Sequence, residues 1–394
     1  MTTTTGLTPP AAAPSAAGGM RFSVDAWDPS YGTSVAGDDL ADSSARVEVN
    51  LEVRAAAWRP MAVPSARARS VAVPSAVLFV DGVRRVEARA WIHDLAPDGA
   101  AAASAAPAIC ASYAGGVVCC CGEGAHLLGA HVRRGLFTAA SHATDLRTGG
   151  GRYRVRMAKD GPDGPTLALQ QELLELEVRT AGKARRAHQL IQTIDDDDAL
   201  FADALAGEFG VDADGQPWPD QGATDQHPTD QRTADQAGGR ADDLLVVDGP
   251  LRGRTRLPRT LGFVKTHHTQ YLPAAQHAVV GALDRAERTP IFLLNNRRDA
   301  SWDRFSWYLR LPSRPGAPWA GVARVECRAD LALDEAVALA DLSQAVLPRF
   351  ASQEFKDGRA PQNLYPIAGL ERALRRRLGD AQLLYRSLRR AAVG

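Results

Sequence analysis

The sequence predicts an α/β fold in which a mixed sheet is flanked by helices and broken by a long polar insertion. Three observations predict it. Apolar runs of strand length recur along the chain, and two of them, at 77–80 and 244–247, run straight into Asp-Gly. Between these runs, Leu169, Leu173, Leu176, Leu190 and Ile194 recur at helix-compatible spacing. Residues 212–242 are rich in Asp, Gln, Gly, Thr and Pro, with near-repeats of Thr-Asp-Gln and Ala-Asp-Gln, and have too little to bury for a packed core.

In chain order, residues 1–19 read as a disordered leader of Thr, Ala, Pro and Gly, ahead of a folded domain over 20–391. Segment 46–54 alternates apolar and polar residues, the period of a half-buried strand. Segment 76–93 reads as a hairpin bent at Asp81-Gly82. Apolar stretches at 108–121 and 125–137, separated by a glycine turn, extend it to an antiparallel meander. A long amphipathic helix should cover 167–194, and 212–242 a disordered insertion within the domain. The core resumes with a short buried strand at 244–247, then strands at 261–265, 290–294, 306–312 and 321–327. Helices at 334–347 and 367–391 close the chain.

Composition excludes little. Of 394 residues, 45% are hydrophobic, which predicts a core but no function. Lys+Arg and Asp+Glu both total 46, so any attraction to a polyanion must come from local clusters. Such clusters occur at Arg252, Arg254, Arg256 and Arg259, and again at Arg372, Arg375, Arg376 and Arg377, with Arg386, Arg389 and Arg390 behind them. The five cysteines form no C-x-x-C pair and have no histidine at finger spacing, so a structural zinc site is not expected. The run Cys119-Cys120-Cys121 reads as a buried strand in a reducing compartment. Neither a basic, apolar secretory leader nor an apolar run of ~20 residues occurs, which makes the cytoplasm the expected location, without a membrane span. No G-x-x-x-x-G-K-[ST] phosphate loop and no G-x-S-x-G elbow is present, which argues against an ATPase or a serine hydrolase.

The chemistry-bearing feature is the repeated delivery of an aspartate by an apolar strand: Leu-Phe-Val-Asp81-Gly and Leu-Val-Val-Asp248-Gly. Either alone reads as a turn. Together they place rigid carboxylates at strand ends, and carboxylate oxygen is the hard ligand that Mg²⁺ and Mn²⁺ prefer. Such metals activate water and stabilise the leaving oxygen in phosphodiester hydrolysis. The intervening helix offers Glu172, Glu175 and Glu177 as a further acid. Lys265, after the next strand, either holds a scissile phosphate or is a solvated strand-end lysine. His267 and His268 follow it as ligand or proton-donor candidates. The run Asp195 to Asp198 reads as a solvated helix end.

Phe79-Val80-Asp81-Gly82, Val247-Asp248-Gly249-Pro250-Leu251 and Gly262-Phe263-Val264-Lys265-Thr266 resemble successive blocks of the NurA nuclease family, in that order. Trp307-Tyr308-Leu309-Arg310-Leu311, the strand at 322–326 and Gln362-Asn363-Leu364-Tyr365-Pro366-Ile367 are similar to its C-terminal half. The resemblance covers about residues 76 to 380 without the insertion, and its specificity lies in the order and spacing of short blocks. It implies a ribonuclease H-like core and manganese-dependent DNA cleavage, as single-strand endonuclease and 5′-to-3′ exonuclease. It also implies a homodimer, partnered with a HerA-type hexameric ATPase that translocates DNA. Carried over by motif, Asp81 and Asp248 are metal ligands for Mn²⁺ or Mg²⁺. The helical acid is Glu175 or Glu177, with Glu172 behind them; residues two apart do not share a helix face, so at most one of the first two points at the metals.

At the C-terminus the chain departs from the family. Many members carry a histidine after the Tyr-Pro block, whereas this chain reads Ala368-Gly369-Leu370-Glu371-Arg372-Ala373. Glu371 either replaces that histidine as a ligand or pairs with Arg375 on the helix surface. Glu87 and Glu326 are weaker ligand candidates. Arg252, Arg254 and Arg256 suit contacts to a DNA backbone. Trp302 is the best base-stacking candidate of a group with Phe305, Trp307 and Tyr308 whose other use is core packing. The rival to a nuclease is a catalytically inactive DNA-binding or assembly subunit of a translocase complex.

Overall fold

The computed structural model describes residues 46–65, 71–95, 101–193, 243–251, 257–267, 269–295, 302–313, 319–353 and 355–393. The expected leader, the insertion, the Asp195–Asp198 run, Arg252, Arg254, Arg256 and His268 lie outside them. In chain order the elements are β1 (Arg46–Glu48), β2 (Ala76–Leu95), β3 (Ala101–Cys121), β4 (Gly124–Thr138), β5 (Leu146–Thr148), β6 (Gly151–Met157), α1 (Gly164–Thr193), β7 (Asp243–Asp248), β8 (Thr260–Val264), α2 (Ala274–Gly281), β9 (Phe292–Asn295), β10 (Arg304–Arg310), β11 (Val322–Arg328), α3 (Leu333–Val346), α4 (Tyr365–Arg377) and α5 (Ala381–Val393).

The described strands form one sheet in the order β1-β9-β10-β11-β8-β7-β2-β3-β4-β6-β5. At its centre β2, β3 and β4 make an antiparallel meander, while β7 lies parallel to β2 and β8 parallel to β7. This is the mixed α/β architecture that the sequence predicts. Alternation along the strands sorts the two faces. Val77, Phe79 and Val83 of β2 join Leu244 and Val246 of β7 in a core completed by α3 and α4. The intervening Ala76, Leu78, Val80, Leu245 and Val247 pack against Ala181 and Ala184 of α1 on the other face. Helix α1 also sets Leu169, Leu173 and Leu176 against Tyr113 and Phe137. Both faces of β7 are thus covered, and Leu244, Leu245, Val246 and Val247 are all buried, as expected of a strand with helices above and below.

Several expectations need correction. No hairpin bends at Asp81-Gly82: β2 runs through it unbroken, because Asp81 and Gly82 pair with Gly116 and Gly115 of β3 and keep the ladder intact. The register instead slips at Glu87. The closing helix is two helices, since Gly379 takes a left-handed φ of 85° and stops α4 before α5 begins. Only Arg46–Glu48 of the expected 46–54 strand is extended and paired, with β9 as its partner. The short hairpin β5–β6 and helix α2 have no counterpart among the elements expected from the sequence.

Candidate metal centre at the ends of the parallel strands

Strands β2 and β7 stop pairing at Val80 and Val247, so the next residue on each is an aspartate at the same level of two adjacent parallel strands. Adjacent strands lie ~4.8 Å apart. By the alternation of the strands, Asp81 and Asp248 share the face on which Phe79 and Val246 meet α4. After Asp248 the chain turns out of the sheet at Gly249, whose φ of 90° few other residues adopt. Its N–H donates to Phe263 O at 2.8 Å, fixing that exit.

Lys265 follows β8 on the same face. Its Nζ donates to Asp248 Oδ2 at 2.7 Å and to Asn363 Oδ1 at 3.1 Å. Asn363 in turn donates from Nδ2 to Asp357 Oδ2 at 2.7 Å, so the lysine is held between a strand end and the segment leading into α4. Asp248 Oδ1 is buried and accepts no hydrogen bond. A buried acceptor left bare costs ~1–3 kcal/mol, more when charged, and asks for a compensating cation. Burial holds the Asp81 carboxyl well above its ordinary range; the charge of Asp248 pushes it the same way, as do Glu177 and Glu371, while Lys265 opposes them. Two carboxylates side by side where the β2–β7 pairing stops, one with a bare oxygen, form an all-oxygen donor set suited to a hard divalent ion, which Asp81 and Asp248 would hold.

The helical acids separate cleanly. Glu177 is buried on the side of α1 that meets the sheet, and its Oε1 sits where a β-carbon on Gly82 would come within 2.3 Å. A glycine is therefore required at 82 for this close approach of α1, which sets the Glu177 carboxylate on the α1 face of the sheet, opposite the face that carries Asp81 and Asp248, so it does not join them in one cluster. Gly115 serves the same approach, with a built β-carbon 3.3 Å from the Glu177 backbone nitrogen. Glu175 is on the solvent face, bonded by Gln171 at 3.1 Å and paired with Arg179 at 3.7 Å, so it does not join the aspartates. Glu172 accepts from Tyr113 at 3.1 Å and pairs with Arg156 at 3.0 Å, farther back along the helix.

Glu371 lies near enough to influence Asp81, but its carboxylate is engaged by Arg359 at 2.6 Å and Arg375 at 2.8 Å. Set against its own burial, those guanidinium groups hold its pKa below the ordinary value. Arg359 also feels the charge of Asp248, which places a second cation at the rim. Glu326 braces the site from outside it. Its Oε1 accepts from Leu251 N at 2.7 Å and its Oε2 from Arg324 at 2.7 Å, pinning the loop after Asp248 to β11. Glu87 is paired with Arg85 at 2.9 Å. His267 bonds Val322 O at 2.8 Å and packs against Tyr308 and Trp319 rather than facing the carboxylates.

Trp302 precedes Arg304, which is opposite Arg328, whereas the C-terminal end of β8 is opposite Arg324. It therefore lies toward the other end of the parallel strands and is not brought to Asp81 and Asp248. Phe305, Trp307 and Tyr308 are buried core, with Trp307 Nε1 donating to Ser343 Oγ at 3.0 Å. The sequence pattern points to no role for Asn363, Asp357 or Arg359, although Asn363 lies in the Gln-Asn-Leu-Tyr-Pro-Ile stretch that is similar to the NurA family.

No family model matches the chain, and no curated protein sequence does. Among solved structures, the NurA nuclease from Sulfolobus solfataricus aligns with it at a TM-score of 0.37 and 10% identity, over 84% of this chain and 88% of that one. Among the described residues, no helix is long and apolar enough to cross a membrane.

Proposed function

We propose that this chain is a divalent-metal-dependent DNA nuclease of the NurA type. The observation that carries the reading is the placement of Asp81 and Asp248 side by side where the parallel pairing of β2 and β7 stops, with Asp248 Oδ1 bare and Oδ2 bonded by the Lys265 ammonium. Asp81 and Asp248 would hold Mn²⁺ or Mg²⁺. When bound, that ion supplies an activated water and stabilisation of the leaving oxygen. Lys265, fixed by Asn363, is positioned to bind a phosphate oxygen and to steady charge that develops on it. Arg372, Arg376 and Arg377 of α4, and Arg386, Arg389 and Arg390 of α5, line the helix surfaces and offer sequence-independent contacts to a DNA backbone. In this reading the chain acts in DNA end processing, as a homodimer and with a HerA-type translocating ATPase.

The experiment is cleavage of labelled single- and double-stranded DNA by the purified chain with Mn²⁺, Mg²⁺ or EDTA. Metal-dependent cleavage that EDTA abolishes is expected. No cleavage with any divalent metal, with DNA or a hexameric ATPase still bound, would favour the inactive assembly subunit. One observation speaks for that second reading: Glu371, which stands where the resemblance calls for a C-terminal ligand, is occupied by Arg359 and Arg375.

A further inference from the structure

The hairpin β3–β4 turns at Gly122-Glu123-Gly124, and its pairing sets His126 directly opposite Cys119. Cys121 is two residues beyond Cys119 on the same strand, hence on the same face. The ligand-capable atoms of Cys119, Cys121 and His126 all lie within 4.8 Å of one another, grading from buried Cys119 through half-buried Cys121 to exposed His126. Cys120, between them, points the other way and packs against the opposite core. We propose that Cys119, Cys121 and His126 form a second metal site, which binds one Zn²⁺ across the tip of this hairpin.

The donor chemistry selects the ion. Two thiolates and an imidazole are the ligands of Zn²⁺, not of the hard ions that suit Asp81 and Asp248. Zn–S and Zn–N bonds of ~2.3 and ~2.0 Å in a tetrahedron separate ligand atoms by roughly 3.5–3.8 Å, so the cluster needs only side-chain adjustment. A disulfide is the poorer use of the pair: two rises of ~3.3 Å put the α-carbons of Cys119 and Cys121 near the upper limit of ~6.8 Å for a bridge. Three protein ligands leave a fourth position for water or an outside donor on the exposed side of His126. The sequence signal is a C-x-C before a glycine turn with a histidine two residues after it, which a search for C-x-x-C passes over.

The site is independent of the proposed nuclease centre. Asp81 pairs with Gly116 of β3, three residues from Cys119 and five from Cys121, about 10 and 17 Å along the strand, and Cys119 lies on the opposite face of the sheet. Ligation requires the thiolates, so binding displaces thiol protons and affinity rises with pH.

The test uses the full chain, reduced and stripped with a chelator, titrated with Co²⁺ as a spectroscopic probe and then with Zn²⁺. A thiolate-to-metal charge-transfer band that corresponds to one Co²⁺ per chain, displaced by one Zn²⁺, is expected, with the same band in the double variant Asp81→Asn/Asp248→Asn. Cys121→Ala and His126→Ala should weaken binding by at least about tenfold, and their partial exposure keeps the fold, as circular dichroism will report. Cys120→Ala should retain the band. Absence of the band, or its persistence at unchanged affinity in both Cys121→Ala and His126→Ala, would overturn the assignment.

Discussion

Strand β7 begins on one aspartate and ends on another, and the two are treated in opposite ways. Asp243 is buried and fully answered: Arg185 of α1 donates from Nε to both of its carboxylate oxygens at 3.0 Å and also engages it through Nη2. Asp248, five residues on, shares Lys265, leaves one oxygen bare and crowds Asp81 on the neighbouring strand. A charge whose purpose is structural is matched by geometry within the chain. A charge left incompletely matched where the parallel pairing stops is what the proposed metal centre requires.

The largest expected effect is at the unmatched end. Asp81→Asn and Asp248→Asn should each lower DNA cleavage roughly 10³-fold or more, since metal ligation supplies several kcal/mol of transition-state stabilisation and each ~1.4 kcal/mol is tenfold. Both should remain folded by circular dichroism. At the matched end the outcome inverts: Asp243→Asn leaves the Arg185 guanidinium buried without its counter-charge and should cost about 3–5 kcal/mol in urea unfolding, with little change in cleavage per folded molecule. Asp248→Asn destabilising the chain as much as Asp243→Asn would erase the contrast.

Smaller effects sharpen it. Lys265→Met should reduce cleavage by about 10²-fold, as loss of a fixed donor to developing charge does. The pH response has a definite sign. Asp81 binds its proton more tightly folded than unfolded, so in metal-free protein its contribution to stability is present at low pH. That contribution is lost as pH rises from the unfolded carboxyl value of 3.8 toward the raised folded one. Unfolding by urea across that range should show the decline, and Asp81→Asn should flatten it. Least of all, Glu175→Gln should leave cleavage unchanged, because that carboxylate faces solvent beside Arg179.

The architecture was legible where burial imposes a period. The run at 244–247, buried on both faces, and the helix facing Tyr113 through Leu169, Leu173 and Leu176 both announced themselves by pattern. Asp81-Gly82 misled, because its glycine answers a close approach from α1, not a turn; nothing local distinguishes the two uses. That Glu177 turns to the sheet and Glu175 to solvent depends on which face of α1 packs, and spacing of acids alone does not specify it. Arg359 and Asp357 were invisible because they reach the aspartates only through the packing of the segment before α4. The cysteine run was read from its apolar character, and the pairing that brings His126 across the turn is a property of register.

Mn²⁺ binding followed by electron paramagnetic resonance tests the central claim most directly, with the wild-type chain, Asp248→Asn and Asp243→Asn titrated side by side. Binding is expected in the wild type, with its loss in Asp248→Asn and its retention in whatever fraction of Asp243→Asn remains folded. Equal Mn²⁺ binding by the wild type and Asp248→Asn would contradict a metal centre at the strand ends.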